Sequence, residues 1–258
     1  NPNANVLVTP ADHLILQEDA FDEAICRSLD YVKAHPKLVT LGVRPSRPET
    51  GYGYIQFTDI EDEHFVKVKT FTEKPNIEMA KVFYESGEFL WNSGMFAWNV
   101  QTILDAFHQY LPSLTSILDE VKGAYATDEE QSRVSQVFSE CPNISIDYAV
   151  LEKADNVMVL PVDFGWADLG TWGSLYELKR EEPRANVALH TKALFYEAEG
   201  NIVSLDGDPE MQLVVVQGIN DCIVAQSKGV LLICKRDEEQ RIKEFMGEAS
   251  VQFDKKFD

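Results

Sequence analysis

The amino-acid sequence predicts an α/β domain over residues 1–182, followed by a small β-rich domain over residues 183–258. In the first two thirds of the chain, short β-branched and aliphatic runs alternate with stretches of helical periodicity. After residues 181–184 the helical stretches give way to short strands separated by turn residues. The length of 258 residues suffices for one large or two modest domains, and the hydrophobic content of 45% is that of a globular protein.

The N-terminal segment predicts a parallel βαβ unit. A strand over residues 6–9 is followed by a helix over 21–34, with Asp19 in the position of the N-cap, and then by an apolar strand over 38–43. This strand–helix–strand spacing is the one that a parallel crossover connection requires.

A β-hairpin and a series of helices are predicted next. Residues 53–58 and 65–71 alternate between apolar and polar side chains around an acidic turn at 59–63, which is typical of a hairpin. The hairpin is followed by four helices, and a strand over 157–162 and a further helix over 169–179 complete the domain. The four helices are predicted over residues 76–86, 100–110, 113–125 and 128–139.

The C-terminal segment predicts a small β domain closed by a polar helix over residues 236–247. Glycine, asparagine and aspartate cluster between its strands as turn signals. The regular spacing of the strands fits an antiparallel or a solenoid-like arrangement. The predicted strands are 193–197, 201–205, 213–217, 221–226 and 230–234.

The charge balance excludes several classes of partner. The chain carries 43 acidic and 23 basic residues, a formal net charge of −20. Nucleic-acid backbones require clustered Lys and Arg, and anionic membranes repel a protein of this sign, so neither is an expected partner. The four cysteines form no CxxC pair, which favours a reducing cytoplasm. Most of the acidic residues are expected on the solvated surface, and a few are available to hold a divalent cation.

Charged residues follow the ends of several predicted strands, where open α/β sheets place their ligands. Asp12 follows the first strand and Asp168 follows the strand over 157–162, so these two carboxylates are candidate ligands of Mg²⁺ together with substrate phosphates. Glu73 and Lys74 directly follow the second strand of the hairpin. The simpler interpretations are a helix N-cap for Asp168 and a surface ion pair for Glu73 and Lys74.

Residues 91–96, W-N-S-G-M-F, suit neither a helix nor a buried strand. Gly94 permits close approach of a backbone, and Asn92 offers both donors and an acceptor. This combination of aromatic and amide side chains is typical of the walls of sugar sites, and a tight turn with a core tryptophan is the alternative. Residues 49–55 contain the G-x-G pattern of the chain, which is weak evidence by itself.

Six segments, taken in order over residues 5 to about 180, resemble the sugar-1-phosphate nucleotidylyltransferases, and most closely the mannose-1-phosphate guanylyltransferases. The resemblance implies a Rossmann-like nucleotidyltransferase sheet, incomplete at its N-terminus, and a small β-rich C-terminal domain, to which residues 186–235 are more weakly similar. The six segments are P-A-D-H at 10–13, E-T-G-Y-G-Y-I at 49–55, F-T-E-K-P at 71–75, W-N-S-G-M-F at 91–96, S-I-D-Y-A-V-L-E-K at 145–153 and G-W-A-D-L-G-T-W at 165–172.

The resemblance implies the transfer of GMP from GTP to mannose 1-phosphate, which gives GDP-mannose and pyrophosphate by a Mg²⁺-dependent in-line displacement. The metal ligands and the residue at the sugar phosphate would be the catalytic residues. The implied positions are Asp12 and Asp168 for the metal, Lys74 for the sugar phosphate, and Gly53, Glu73, Lys74, Asn92, Gly94 and Asp147 for substrate binding.

One departure from the family concerns the nucleotide. Family members have a Gly-rich loop ending in Arg, upstream of the segment at residues 10–13, which binds the nucleotide triphosphate at a helix N-terminus. These 258 residues contain no such loop, no G-x-x-x-x-G-K-[ST] pattern and no G-x-G-x-x-G fingerprint. We therefore expect an N-terminally truncated member of the family that does not turn over GTP by itself.

Two alternatives stay open at the level of sequence. The base or the sugar could differ, because the part of the family that reads the base is not among these residues. The chain could also be a non-catalytic, sugar-phosphate-binding regulatory subunit, although the presence of both metal carboxylates argues mildly against this. A homodimer formed through the β-rich domain is expected by analogy only.

Overall fold

The computed structural model describes residues 1, 3–60, 64–205 and 213–253. The chain forms two compact units, of which the first comprises Asn1–Ala11 and Ile15–Trp166, and the second Asp12–Leu14 and Ala167–Asp258. The domain boundary predicted near residue 182 stays a prediction, because these units are defined by contacts and not by independent folding.

The first unit is built on a mixed six-stranded sheet. Its helices are α1 (Glu18–Ala34), α2 (Ile77–Ser86), α3 (Val100–Tyr110), α4 (Pro112–Asp119) and α5 (Glu130–Phe138), together with a 3₁₀ turn at Lys122–Ala124 and a π-helical turn at Asp147–Leu151. The strands in this part of the chain are β1 (Asn5–Val8), β2 (His13–Ile15), β3 (Leu38–Val43), β4 (Tyr54–Ile60), β5 (Val66–Thr72), β6 (Phe89–Asn99) and β7 (Val157–Val162).

The strand order in this sheet is β1-β6-β3-β7-β5-β4, and β4 also pairs with β6. Strands β3 and β7 are parallel neighbours, with Leu38 opposite Val157. Strands β1 and β3 both pair antiparallel with β6. The predicted βαβ unit therefore has parallel strands, but they lie on either side of β6 and are not adjacent. The antiparallel pairing of β4 with β5 confirms the predicted hairpin, whose residues 61–63 lie outside the described residues.

Both faces of the central strands are buried, which explains why their sequences are almost continuously apolar. Alternate residues of β7 face opposite sides: Val157 and Val159 pack with α3 and the π-helical turn, whereas Met158 and Leu160 pack with α1. Helix α1 begins after Gln17, and no side chain caps it, so the prediction of Asp19 as N-cap is wrong. Asp19 lies instead in the first turn, where a carboxylate favours the helix dipole.

The second unit is largely β structure. Its strands are β8 (Trp166–Asp168), β9 (Val187–Leu189), β10 (Lys192–Tyr196), β11 (Ile202–Leu205), β12 (Leu213–Gln217), β13 (Cys222–Ser227) and β14 (Val230–Lys235). Its helices are α6 (Trp172–Lys179), a 3₁₀ helix at Arg236–Arg241 and α7 (Ile242–Gln252).

Parallel pairing makes this unit solenoid-like, the second of the two arrangements that the sequence allowed. Strand β11 lies between β9 and β13 and is parallel to both, and β10 is parallel to β12. Asn201 is fully buried between successive turns of the chain, where its amide donates to the carbonyl of Ile219 at 2.8 Å and its oxygen accepts from the N–H of Cys222 at 3.0 Å. Strand β14 pairs antiparallel with β13 and forms the edge of this sheet. Among the described residues, no helix is long and apolar enough to cross a membrane.

Candidate functional site

Residues 91–96 lie inside β6, so the expectation that this segment forms no buried strand is wrong. Asn92 and Phe96 are four residues apart on β6, but their partners on β3 are two residues apart, which places extra residues in β6 as a bulge. Gly94 takes the left-handed conformation in this bulge, with φ of 71°. The hydroxyl of Ser93 donates to the carbonyl of Leu41 on β3 at 2.7 Å. This bond replaces part of the backbone hydrogen bonding between β3 and β6 that the bulge interrupts. The bulge exposes the amide of Asn92 to neighbouring polar groups.

The pairing of β4 with both β5 and β6 brings predicted site residues together. Tyr54 lies opposite Thr72 of β5 and opposite Trp91 of β6. Gly53 precedes Tyr54, whereas Glu73 and Asn92 each follow one of its partners, so in these antiparallel pairs Gly53 lies beside both. The carbonyl of Gly53 accepts from the N–H of Asn92 at 2.8 Å.

Gly53 leaves space for a carboxylate. A Cβ atom at this position would lie 2.5 Å from Oε2 of Glu73 and 3.3 Å from Cβ of Asn92. No such side chain fits without displacing Glu73. Glycine is thus favoured at position 53 by the close approach of a carboxylate of the site itself.

Asn92 lies at the centre of a hydrogen-bond network. Its Oδ1 accepts from the hydroxyl of Thr40 at 3.1 Å and from the N–H of Gly94 at 3.2 Å. Its Nδ2 donates to Oδ1 of Asp147 at 3.0 Å. Asp147 begins the π-helical turn, and this bond fixes its carboxylate against β6. The structure thus joins two residues that are 55 positions apart in the sequence.

Burial raises the pKa of each carboxylate in this network. Burial raises the pKa of Glu73 above its ordinary value, and the negative charge of Asp147 raises it further, while Lys74 opposes the rise. Burial likewise raises the pKa of Asp147, against the hydrogen bond from Asn92. Partial burial and the charge of Asp147 raise the pKa of Glu152. Holding these carboxylates ionised is therefore unfavourable unless a ligand supplies donors.

Lys74 provides a cation at the edge of this network. Its Nζ lies 3.3 Å from Oε1 of Glu73, but 62% of its side chain is exposed, against 13% for Glu73. Its backbone is in the left-handed region, with φ of 46°, a conformation that non-glycine residues seldom adopt. The ammonium group is thus held at the solvent side of a buried carboxylate.

Asp12 and Asp168, the predicted metal ligands, both lie in the second unit. Asp12 directly precedes β2, Asp168 ends β8, and these two short strands pair with each other. Oδ1 of Asp168 accepts from the N–H of Gly170 at 2.6 Å. The N-cap of α6 is Thr171, which accepts from the N–H of Ser174, so the simpler interpretation of Asp168 as N-cap is wrong.

Within the described ranges, no group of three or more His, Cys, Asp and Glu residues is arranged to hold a metal ion. Mg²⁺ commonly uses one or two carboxylates together with substrate phosphates and water. Asp12 is exposed and Asp168 is half-buried. Their carboxylate oxygens are the type of ligand that such a site uses.

Thr40 and Glu49 were not among the site residues predicted from the sequence. Glu49 is buried, and its carboxylate binds the guanidinium of Arg47 at 2.9 Å and the N–H of Gly51 at 2.9 Å. It thereby shapes the loop that leads to Gly53. For Thr40 a signal was present in the sequence, a hydroxyl within the apolar strand β3. Glu49 could not be distinguished by sequence from the other acidic residues of the chain, most of which are expected on the surface.

Several curated proteins are similar in sequence to this chain. Mannose-1-phosphate guanylyltransferase of Escherichia coli strain K12 is 37% identical over 243 residues, which are 92% of this chain and 50% of that protein. Mannose-1-phosphate guanylyltransferase ManC of Salmonella typhimurium strain LT2 is 36% identical, with 92% of this chain and 49% of that protein covered. The chain spans about half the length of the curated relatives it matches.

A solved structure and a family model cover most of the chain. The crystal structure of mannose-1-phosphate geranyltransferase from Thermus thermophilus matches with a TM-score of 0.79 at 30% identity, over 95% of this chain and 70% of that one. This similarity confirms the predicted α/β sheet with β-rich C-terminal strands. Residues 1–184 match the family model described as nucleotidyl transferase. The chain therefore belongs to the nucleotidyl transferase family.

Proposed function

We propose that this chain is part of an enzyme that transfers GMP from GTP to mannose 1-phosphate, forming GDP-mannose and pyrophosphate with Mg²⁺. One observation carries the proposal: the carboxylates of Glu73 and Asp147 converge with the amide of Asn92 beside the exposed ammonium of Lys74. This is a set of groups for a polyhydroxyl compound that carries an anionic group. The names of the curated relatives support mannose 1-phosphate as that compound.

The sugar would bind through its hydroxyl groups. Hydroxyls donate to carboxylates in short, charge-assisted hydrogen bonds. Glu73 and Asp147 are partly removed from water and have raised pKa values, so donors from a ligand stabilise their ionised forms. The amide of Asn92 adds a donor at a fixed position. Because these side chains are held by β5, β6 and the π-helical turn, the subsite is ordered before the sugar enters.

The phosphate of the sugar would lie at Lys74. In the proposed reaction a sugar-phosphate oxygen attacks the α-phosphorus of GTP in line, and pyrophosphate leaves. Two anionic reactants must approach each other, so positioning and charge neutralisation are the main requirements. Lys74 neutralises one of the anions.

Asp12 and Asp168 would hold the Mg²⁺ ion. When bound, the ion neutralises charge that develops on the phosphate oxygens. Asp168 keeps Oδ1 on the N–H of Gly170, which orients the carboxylate. The chain's contribution is thus two carboxylates for the metal, of which that of Asp168 is oriented by Gly170, and, separately, a subsite for the sugar phosphate.

Calorimetry of the 258-residue chain with mannose 1-phosphate tests the sugar subsite. We expect Lys74→Ala to weaken binding by about 10- to 100-fold, the worth of a hydrogen bond to a charged group. Lys33→Ala removes the same charge from an exposed position near the end of α1 and should leave binding unchanged. Absence of sugar-phosphate binding to the unaltered chain would refute the proposal.

Substrate choice and chemistry need separate measurements. Titrating a protein that contains this chain with GTP, dTTP, UTP and ATP in the presence of Mg²⁺ identifies the base, and glucose 1-phosphate beside mannose 1-phosphate identifies the sugar. Binding of sugar phosphate without binding of any nucleotide would instead support the regulatory subunit.

A further inference from the structure

Thr40 has a buried hydroxyl that bonds to a residue of the sugar subsite. It lies in the middle of β3 and is fully buried in a strand of otherwise apolar residues and glycine. A hydroxyl in this environment needs a hydrogen-bond partner. The partner is Oδ1 of Asn92, at 3.1 Å, across 52 residues of sequence.

The two ends of the Asn92 amide are chemically distinct. The N–H of Gly94 can only donate, so the end of the amide that faces it at 3.2 Å must be the oxygen. The same oxygen accepts from Thr40, and the NH₂ group points to the carboxylate of Asp147. One N–H of that group is used by Asp147, and for the other the described part of the chain provides no acceptor.

We propose that Thr40 is a positioning residue of the sugar subsite, whose buried hydroxyl fixes the Asn92 amide so that its NH₂ group serves both Asp147 and a sugar hydroxyl. The inference rests on the proposed function for the identity of the ligand. The hydrogen bonds that connect Thr40 to Asn92 and Asn92 to Asp147 lie within the chain and do not depend on the identity of the ligand.

Loss of the Thr40 hydroxyl has a consequence for Asp147. The hydrogen bond from Asn92 opposes the rise that burial causes in the pKa of Asp147. In Thr40→Val the Asn92 oxygen keeps only the hydrogen bond from the N–H of Gly94. The amide is then held less firmly, and its hydrogen bond to Asp147 is formed for a smaller fraction of the time. The pKa of Asp147 then rises further.

The other charged groups around this carboxylate are unchanged by the substitution. Lys74 lowers the pKa of Asp147 by its positive charge, and the hydroxyl of Ser145 lowers it by a hydrogen bond. The charge of Asp147 in turn raises the pKa of Glu73 and Glu152. A change in the titration of Asp147 therefore reports on Asn92, provided that these neighbours keep their positions.

The test compares Thr40→Val, which removes the hydroxyl at nearly constant shape, with Thr40→Ser, which keeps it. Ser28→Ala is the matched control, because Ser28 is also fully buried in the first unit and donates to the carbonyl of Ala24 at 2.8 Å, within α1. For each variant of the 258-residue chain, carbon-detected NMR follows the titration of the Asp147 carboxyl, and calorimetry measures mannose 1-phosphate affinity.

We expect Thr40→Val to raise the pH at which Asp147 titrates and to weaken mannose 1-phosphate binding about fivefold, the worth of one net hydrogen bond. Thr40→Ser should restore both properties. Ser28→Ala should lower the melting temperature and leave both properties unchanged. If Thr40→Val does not fold, Thr40→Ala takes its place; it removes the hydroxyl together with the methyl group, and comparison with Thr40→Ser separates the two effects.

Unchanged titration and unchanged affinity in Thr40→Val would overturn the inference. Equal losses in the valine and serine variants would also overturn it, since they would assign the effect to the packing of the threonine methyl group. The titration requires no ligand, so it decides the role of Thr40 even if the unaltered chain fails to bind mannose 1-phosphate. That failure would count against the proposed function alone.

Discussion

Gly53→Ala should weaken mannose 1-phosphate binding through the displacement of one carboxylate. The backbone of Gly53 is not in the left-handed region, so alanine can adopt it. The new Cβ would lie 2.5 Å from Oε2 of Glu73, and an ordinary contact begins at 3.4 Å, so the carboxylate must retreat by about 0.9 Å. Such a retreat is sufficient to break a hydrogen bond to a sugar hydroxyl.

The expected loss follows from the charge on Glu73. A hydrogen bond to a charged group contributes about 1.5–3 kcal/mol, which corresponds to roughly 10- to 100-fold in affinity. The far end of a carboxylate side chain moves easily, so the free energy of unfolding should change by less than about 1 kcal/mol. Calorimetry with mannose 1-phosphate and urea unfolding measure the two quantities.

Two other glycines serve as matched controls. A Cβ at Gly42 would lie 2.6 Å from Cγ2 of Val159 and 2.8 Å from Cδ1 of Leu90, inside the core. Gly42→Ala should therefore cost about 1–3 kcal/mol of stability and leave the affinity of the folded protein unchanged. A Cβ at Gly123 meets no atom within 4 Å among the residues described, so Gly123→Ala should change neither property.

A double-mutant cycle identifies the carboxylate as the cause. In a Glu73→Ala background the obstacle is gone, so Gly53→Ala should cause no further loss of affinity. The reasoning is refuted if Gly53→Ala binds as tightly as the unaltered chain, or if it causes the same loss with and without Glu73.

Three further predictions concern charge and catalysis. Glu73→Gln should raise the free energy of unfolding at pH 8, because the pKa of Glu73 is raised in the folded protein. The contribution of Glu73 to stability is fully present below its ordinary pKa of 4.5 and is lost as the pH rises through its pKa in the folded protein, whereas glutamine stays neutral. Equal urea midpoints for both proteins at pH 8 would contradict this. Asp168→Asn should abolish turnover in an active protein that contains this chain. The melting temperature should stay unchanged, since asparagine keeps the Oδ1 acceptor for the N–H of Gly170. Surviving activity would show that Asp168 does not hold the metal. The 258 residues alone should form no GDP-mannose from GTP and mannose 1-phosphate, and chromatographic detection of that product would disprove the expectation.

Strands and helices were predictable where the determinant is local. Leu38–Val43 and Val157–Val162 begin and end as predicted because both faces of each strand are buried, which requires an uninterrupted apolar run. Helix α3 also has its predicted bounds, because its start is set by a local cap: the side chain of Asn99 accepts from the N–H of Gln101. The predicted helix over 113–125 was less accurate, since α4 ends at Asp119 and a 3₁₀ turn follows.

Features that depend on distant pairing were not predictable in the same way. The bulge of β6 exists because β3 provides a span of two positions for four residues of β6, and no pattern within residues 91–96 carries that information. Strand β9 has three residues, too few for a recognisable alternation. Glu73 and Asn92 stood out by their positions and chemistry as well as by family motifs, whereas Asp147 was indicated by a family motif alone. The role of Thr40 required the structure, because its partner is 52 residues away.

The electrostatics of the subsite connect its stability with its proposed function. Folding places Glu73 and Asp147 where burial disfavours their ionised forms, and the charge of Asp147 adds to this effect at Glu73. The absence of a Cβ atom at Gly53 leaves space for the carboxylate of Glu73. Lys74 compensates only in part, because most of its side chain is in solvent. Sugar hydroxyls would supply the donors that these carboxylates lack, so the ligand stabilises the same ionised forms that the unliganded fold disfavours. Affinity for the sugar should consequently fall as the pH decreases through the raised pKa values of both carboxylates.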